Sequence, residues 1–281
     1  MSPSLLDLID QRTEHLTPAE ARVAQWISAN PRGAAELPIA RLADAAGVSE
    51  PTVVRFCRSL GLSGFRELRT QLGVALQSPD SFAHQDVAAS DSLDAAASKV
   101  LDNAVRALVG ASNASRDLPF AAAAELLAAA RQIVFVGLGA SGLVARDAEH
   151  KFFRLGIPCS TASDVPTIAQ RAATACAGDV YLAISYTGEW RDLVMAMELA
   201  RDNGACVISV TDPEAGLARA ARLTFASLPV ENTSVYTPMS SRLVQLALLD
   251  ALQVATALAL GSSAETNLRR AKDALLMYRP A

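Results

Sequence analysis

The sequence predicts two domains of different class. An all-α N-terminal domain is built round a helix-turn-helix, and an α/β domain follows in which a five-stranded parallel sheet, in flavodoxin-like order, carries helices on both faces. Three observations predict this. The first 76 residues show only helical apolar spacing and helix punctuation. Beyond residue 130, short apolar runs alternate with helical stretches, as in a parallel sheet covered on both sides. Between the two, residues 77–90 (QSPDSFAHQDVAAS) are polar, contain Pro79 and lack periodicity, which marks a linker. With 281 residues and a hydrophobic share of 51%, the chain can fill two cores. The expected boundaries are 1–76, 77–90 and 91–281.

In chain order, Leu5 to Glu14 has helical apolar spacing. Thr17-Pro18-Ala19-Glu20 is a capping box. The Thr17 hydroxyl accepts from the third N–H, Glu20 reaches back, and Pro18 sits where a missing donor costs nothing. A helix is expected from Pro18 to Ala29, stopped by Asn30-Pro31-Arg32-Gly33.

The stretch Ile39 to Arg58 reads IARLADAAGVSEPTVVRFCR. Ala43 lets two helices approach, Gly47 suits a left-handed turn, and Ser49 is a good N-cap with Glu50 and Pro51 in the next turn. With Val53, Phe56 and Leu60 inward, Pro51, Thr52, Arg55, Arg58 and Ser59 project from the other side. The spacing is that of a DNA-binding helix-turn-helix, and two outward arginines favour it over an ordinary helical hairpin. Arg55 and Arg58 have the chemistry for base edges or phosphates. Ser63-Gly64 opens a further helix, Phe65 to Leu76, whose Arg66 and Arg69 suit phosphates.

Ser92 to Val109 and Pro119 to Ala130 are helical and alanine-rich. Strands are expected at Ile133–Val136, Ile157–Ser160, Val180–Ile184, Cys206–Val210 and Leu223–Ser227, and a long helix from Ser240 to Leu260 closes the domain. That last run is interrupted by Gln245, Asp250 and Gln253, so it reads as a core or interface helix and not as a membrane span. The N-terminus carries acids and no basic n-region, so no signal peptide is expected and the location is cytoplasmic. A net charge of −4 means that any nucleic-acid surface comes from local placement of Arg. Cys57, Cys159, Cys176 and Cys206 make no metal spacing and read as reduced, buried small hydrophobes; neither metal nor cofactor is expected.

Two loops carry the chemistry. QIVFVGLGASG (Gln132 to Gly142) follows a buried strand with Gly137, Gly139 and Gly142; VYLAISYTGE (Val180 to Glu189) brings Ser185 and Thr187 to the end of another. In a doubly wound sheet both lie at the edge where helix N-termini bind anions. The first loop also satisfies GxGxxG, with Asp164 about 20 residues on, so a dinucleotide is the rival ligand. Ser141 and the run Ser185-Tyr186-Thr187-Gly188 are more than a dinucleotide requires and suit a phosphate held by short donors. No Lys-Ser/Thr follows the first loop, which disfavours a nucleotide-triphosphate site.

GLGASG and ISYTGEW, with the sheet pattern round them, resemble the sugar isomerase (SIS) domain, and with the helix-turn-helix the whole chain resembles the RpiR family of bacterial transcriptional regulators. The likeness to HexR-type members rests on SEPTVVRFCRSLGLSGFREL (Ser49 to Leu68), GLGAS, HKFFR (His150 to Arg154), ISYTG and YTPMSSRLVQLALLDAL (Tyr236 to Leu252). The resemblance implies a dimeric or tetrameric regulator, a repressor without catalytic activity, that binds operator DNA and a phosphorylated sugar acid. For HexR-type relatives the implied ligand is 2-keto-3-deoxy-6-phosphogluconate, with 6-phosphogluconate second. The family's phosphate-contacting serines fall on Ser141 and Ser185 and its DNA-contacting arginines on Arg55 and Arg58; Thr187 completes the second loop, and Gly139 and Gly188 let the backbone approach.

One departure is Trp190, where the family places Thr. The isomerase alternative would need a base such as Glu149, His150 or Glu189, of which the first two read as a solvated helix face. Lys151 and Arg242 are candidate partners for a ligand carboxylate, with ordinary ion pairs as the competing role.

Overall fold

The computed structural model describes residues 5–12, 16–75, 86–88, 90–227, 239–276 and 278, and divides into two compact units between Leu101 and Asp102. Most of the expected linker, and Tyr236 to Pro238 of the C-terminal motif, lie outside the described residues.

The first unit is helical: α1 (Leu5–Arg12), α2 (Pro18–Ala29), α3 (Pro31–Glu36), α4 (Ile39–Ala46), α5 (Glu50–Ser59) and α6 (Phe65–Ala75). Its core joins Ile9, Val23, Ile27, Leu42, Val53, Phe56, Leu68 and Leu72, all buried. The capping box forms as expected: the Glu20 N–H donates to Thr17 Oγ1 at 3.4 Å, and the Thr17 N–H to Glu20 Oε2 at 3.0 Å. Asn30-Pro31 does not stop the chain from being helical. Asn30 caps the end of α2, and Pro31, preset for a first helical turn, begins α3 at once. Gly47 ends α4 at φ 64°, and the Val48 N–H donates to Ala43 O at 2.9 Å, the left-handed turn that sends α5 off in a new direction.

The second unit contains α7 (Leu93–Ala114) in part, then α8 (Phe120–Ala128), β1 (Gln132–Gly137), α9 (Ala140–Phe152), β2 (Cys159–Ala162), α10 (Val165–Ala173), β3 (Asp179–Ile184), α11 (Arg191–Asp202), β4 (Cys206–Thr211), α12 (Gly216–Ala220), β5 (Leu223–Ala226), α13 (Ser240–Leu260) and α14 (Ser262–Leu276). The sheet is parallel throughout, in the order β2-β1-β3-β4-β5. Every residue of β3 is buried, because helices cover both faces, and this is why the strand reads as a continuous apolar run. The edge strand β2 starts two residues later than the sequence suggests. The apolar Ile157 and Pro158 lead into it, and Pro158 O accepts from the Ile133 N–H at 2.8 Å.

α13 is long and apolar enough to cross a membrane by length and composition. Its buried stripe, Val244, Leu248, Leu249 and Leu252, belongs to the face that packs on α8 and α9, the core role expected of it. It does not close the domain: Gly261 turns the chain at φ 62° and α14 follows, tied back by Asn267 Nδ2 donating to Leu155 O at 3.0 Å. The four cysteines are free thiols, but only Cys57 is buried and Cys176 is exposed, so the small-hydrophobe reading does not hold for all. Burial pushes the Cys57 and Cys159 thiols up to about 12. Among the described residues no three His, Cys, Asp or Glu side chains gather as a metal site.

Candidate functional site

Across β1 and β3, Gly137 is in register with Ile184, so the two loops leave adjacent strands from the same level at the carboxyl edge. In the first loop, a Cβ on Gly137 would fall 2.5 Å from Ser141 O, and one on Gly142 would fall 2.9 Å from Gly137 O. Only glycine lets the first turn of α9 fold back so tightly on the end of β1. Ser141 lies half-buried in that turn, its N–H donating to Leu138 O at 3.1 Å.

In the second loop the Ser185 N–H donates to Val210 O at 3.1 Å, which fixes Ser185, 6% exposed, against β4. Its Oγ accepts from the Gly188 N–H at 3.1 Å, leaving the hydroxyl proton for another acceptor. Tyr186 is half-buried and Thr187 exposed. Glu189 reaches Gly216, whose N–H donates to Oε1 at 3.4 Å. Trp190 is the N-cap of α11, 60% exposed, and supplies no side-chain cap.

α9, capped only by Gly139, likewise has no side-chain cap, whereas Asp164 caps α10 by accepting from the Thr167 N–H at 2.9 Å. The helices that follow the adjacent strands β1 and β3 therefore start without a side chain capping them, and Ser141, Ser185 and Thr187 stand at those starts. An anion at this point meets donors from both helix starts.

Two observations count against the dinucleotide reading. The strand order 2-1-3-4-5 is not that of the dinucleotide fold, and Asp164, held below the usual carboxylate range by the Thr167 amide and hydroxyl, is committed to its helix.

Lys151 is not at the site. It lies in the last turn of α9, at the opposite end from Ser141, and pairs with Asp147 at 2.7 Å and with Asp250 of α13. Burial disfavours its ammonium, but hydrogen bonds to the two aspartates outweigh this and hold its pKa above the ordinary value. Glu149 is bonded by the Thr161 hydroxyl of β2, and His150, exposed, stacks edge-on to Phe153 at 5.9 Å. Neither is placed as a base at the loops. Arg242 lies in the first turn of α13. α9 and α13 both follow strands of a parallel sheet, and Asp250 is about as far into α13 as Lys151 is into α9. Their pairing ties the two helices together.

Sequence reasoning missed Thr211 and Ser227, buried hydroxyls at the carboxyl ends of β4 and β5 beside the second loop. The signal was a polar residue closing an apolar run, read there as the end of a strand. A groove of about 250 Å³ lined by Arg201, Arg219 and Arg222 lies at the opposite, amino edge of β4 and does not belong to these loops.

In the first unit, Ser49, Pro51, Arg55, Arg58 and Ser59 are exposed, as the helical face requires. Thr52 is the exception at 5% exposed: its Oγ1 lies 2.9 Å from Ser49 Oγ and accepts from Arg55 Nη2 at 3.2 Å. It orients Arg55 instead of facing outward, and Ser49 caps by position only, its hydroxyl turned to Thr52. Ser59 donates to Glu20 Oε1 at 2.9 Å and its carbonyl accepts from Arg12 Nη1 at 2.7 Å, so it anchors the end of α5.

A helix-turn-helix bearing outward arginines, with a parallel α/β unit whose paired helix starts suit an anion, defines a DNA-binding regulator with a small-molecule sensor. Residues 4–79 match the helix-turn-helix domain of the rpiR family and residues 126–255 match the SIS domain. The chain is 44% identical over 276 residues to the HTH-type transcriptional regulator HexR of Pseudomonas aeruginosa, covering 98% of this chain and 97% of that one. It is 36% identical to HexR of Escherichia coli, covering 97% and 94%. The structure of Vibrio vulnificus NanR complexed with ManNAc-6P shares the fold at a TM-score of 0.70 and 22% identity, covering 99% of this chain and 100% of that one. The chain belongs to the RpiR family: it is a helix-turn-helix transcriptional regulator with an SIS domain, and not an enzyme.

Proposed function

We propose that the protein is a cytoplasmic repressor of sugar and central-carbon genes that leaves its operator when a phosphorylated sugar acid binds between the Ser141 and Ser185 loops. The ligand we infer is 2-keto-3-deoxy-6-phosphogluconate. The observation that carries the reading is the pair of neighbouring helix starts, α9 and α11, without side-chain caps and flanked by Ser141, Ser185 and Thr187. The likeness to HexR supports the regulatory role, and the sugar phosphate named in the NanR complex supports the ligand class.

In this reading Ser141, Ser185 and Thr187 donate hydroxyl protons to phosphoryl oxygens, and backbone N–H groups at Gly139 and Gly188 add charge-assisted bonds. Tyr186 lines the second loop. Arg242 takes the ligand carboxylate as a planar fork, a role closed to Lys151 by its two aspartates. Arg55 and Arg58 of α5 contact the operator, with Pro51 and Ser49 at the helix start.

A homodimer presents two such helices to a palindrome. Its seam is the exposed stripe Leu101, Val105, Leu108 and Val109 on α7, spaced as one helical face, and a homotetramer would add a second seam. Effector control requires only that the ligand bind the DNA-competent and DNA-incompetent arrangements unequally: tenfold release corresponds to about 1.4 kcal/mol.

The test is Ser185→Ala. Operator binding stays at the wild-type level and 2-keto-3-deoxy-6-phosphogluconate no longer releases the DNA. Full release by the ligand in that variant overturns the site.

A further inference from the structure

Beneath the Ser185 loop lies a hydroxyl that the free protein does not use. Thr211, the last residue of β4, is 0% exposed and its Oγ1 has no hydrogen-bond partner among the described residues. Ser227, 1% exposed and also without a partner for its hydroxyl, adjoins it: the Ser227 N–H donates to Thr211 O at 2.8 Å. A buried hydroxyl without a partner is destabilising, and an apolar group of the same shape is normally tolerated there. A threonine held in this state needs a use.

The geometry shows what the hydroxyl meets. A Cβ on Gly188 would fall 2.2 Å from Thr211 Oγ1, so the bare backbone of the loop rests on it. Gly188 is also bonded on both sides of its peptide unit within the loop region. Its N–H is engaged with Ser185 Oγ at 3.1 Å, and its carbonyl accepts from the Leu217 N–H at 3.1 Å. An anion that recruits the Gly188 N–H competes with the first of these bonds. Gly188, at φ 65° and without a side chain, has the conformational freedom to turn while packed directly beside Thr211.

We propose that Thr211 is a positioning residue of the effector site: its hydroxyl is without a partner in the free protein and gains an acceptor from the Ser185–Gly188 loop when that loop closes on a phosphoryl group. The proposal rests on the phosphosugar reading above. It makes relief of a buried polar group in the free state part of the driving force for closure, and it couples the loop to β4 and, through the Ser227 amide, to the end of β5.

The experiment compares wild type, Thr211→Val and Thr211→Ser by calorimetric titration with 2-keto-3-deoxy-6-phosphogluconate and by thermal unfolding without ligand. Thr211→Val, isosteric but without the hydroxyl, raises the unfolding temperature of the free protein and weakens the ligand about tenfold, while Thr211→Ser binds within about twofold of wild type. Wild-type affinity in Thr211→Val overturns the proposal, and so does a lower unfolding temperature, which would mean that the hydroxyl is already satisfied. Exchange of the Gly188 amide in the wild-type protein is the second readout. Its protection changes on ligand binding, and unchanged protection overturns the proposal without any variant. If wild type itself does not bind the ligand, the phosphosugar reading falls first; if wild type binds and Thr211→Val binds equally, only the role of Thr211 falls.

Discussion

Glu20 Oε1 accepts a hydrogen bond from Ser59 Oγ at 2.9 Å, so the carboxylate that caps the start of α2 also holds the last turn of α5. The Thr17 hydroxyl and amide, with Ser59 and the nearby Arg55 guanidinium, keep the Glu20 carboxyl below the usual carboxylate range against the opposing effect of burial. Its folded value is depressed, so its contribution to stability is complete above the unfolded value and is lost as pH falls through the folded one. The first unit is therefore expected to lose stability between about pH 5 and pH 3, and Glu20→Gln is expected to flatten that limb. Thermal unfolding across this range checks it; an unchanged acid limb in the variant rules it out.

Arg55 is exposed on α5, yet its guanidinium is oriented by Thr52, itself buried and bonded to Ser49. A side chain preset in this way loses little freedom on meeting a base edge. Arg55→Ala is expected to cost about 1–3 kcal/mol of operator binding and to relax preference at one base pair. Arg58→Ala, with no such support among the described residues, is expected to weaken all sequences alike and to reduce the salt dependence. Anisotropy titrations against operator and scrambled DNA separate the two outcomes.

Much of this was legible in the chain itself, and the failures have physical causes. The capping box at Thr17, the turn at Gly47 and the buried strands β1, β3 and β4 were readable because local chemistry and burial agree there. Helix α3 was not, because Asn30-Pro31 is equally a stop signal and a start signal. Thr52 was assigned to the wrong side because periodicity fixes a face only to within a residue, and Ser49 draws its hydroxyl inward. Lys151 looked like a site residue until the helix carried it to the far end of α9. The Gly137–Ile184 register that unites the two loops, and the orphan at Thr211, are consequences of strand pairing that no local pattern encodes.

The ion pairs of Lys151 make a prediction by contrast with Arg242. Lys151→Met removes a partly exposed link between α9 and α13 and is expected to cost less than about 1 kcal/mol of stability, with effector response unchanged. Arg242→Gln is expected to leave binding of inorganic phosphate intact and to weaken 2-keto-3-deoxy-6-phosphogluconate about tenfold, since only the sugar acid presents a carboxylate. Equal loss of both ligands would place Arg242 outside the carboxylate's reach.

The α7 stripe sets the last prediction. Leu101, Val105, Leu108 and Val109 repeat at helical spacing and are all exposed, while the other face of α7 buries only Asn103 and Ala107. A helix of 22 residues with so little of its apolar surface covered is left with an unpartnered face, which a second copy of the same stripe can cover by two-fold symmetry. Val105→Lys puts a charge at the centre of that seam and is expected to shift the protein towards monomer in sedimentation experiments. Because one recognition helix reads only half of a palindrome, operator affinity is expected to fall by more than the about tenfold that a single lost side-chain contact produces. A Val105→Lys protein that remains dimeric would move the seam to another face of the sensor unit.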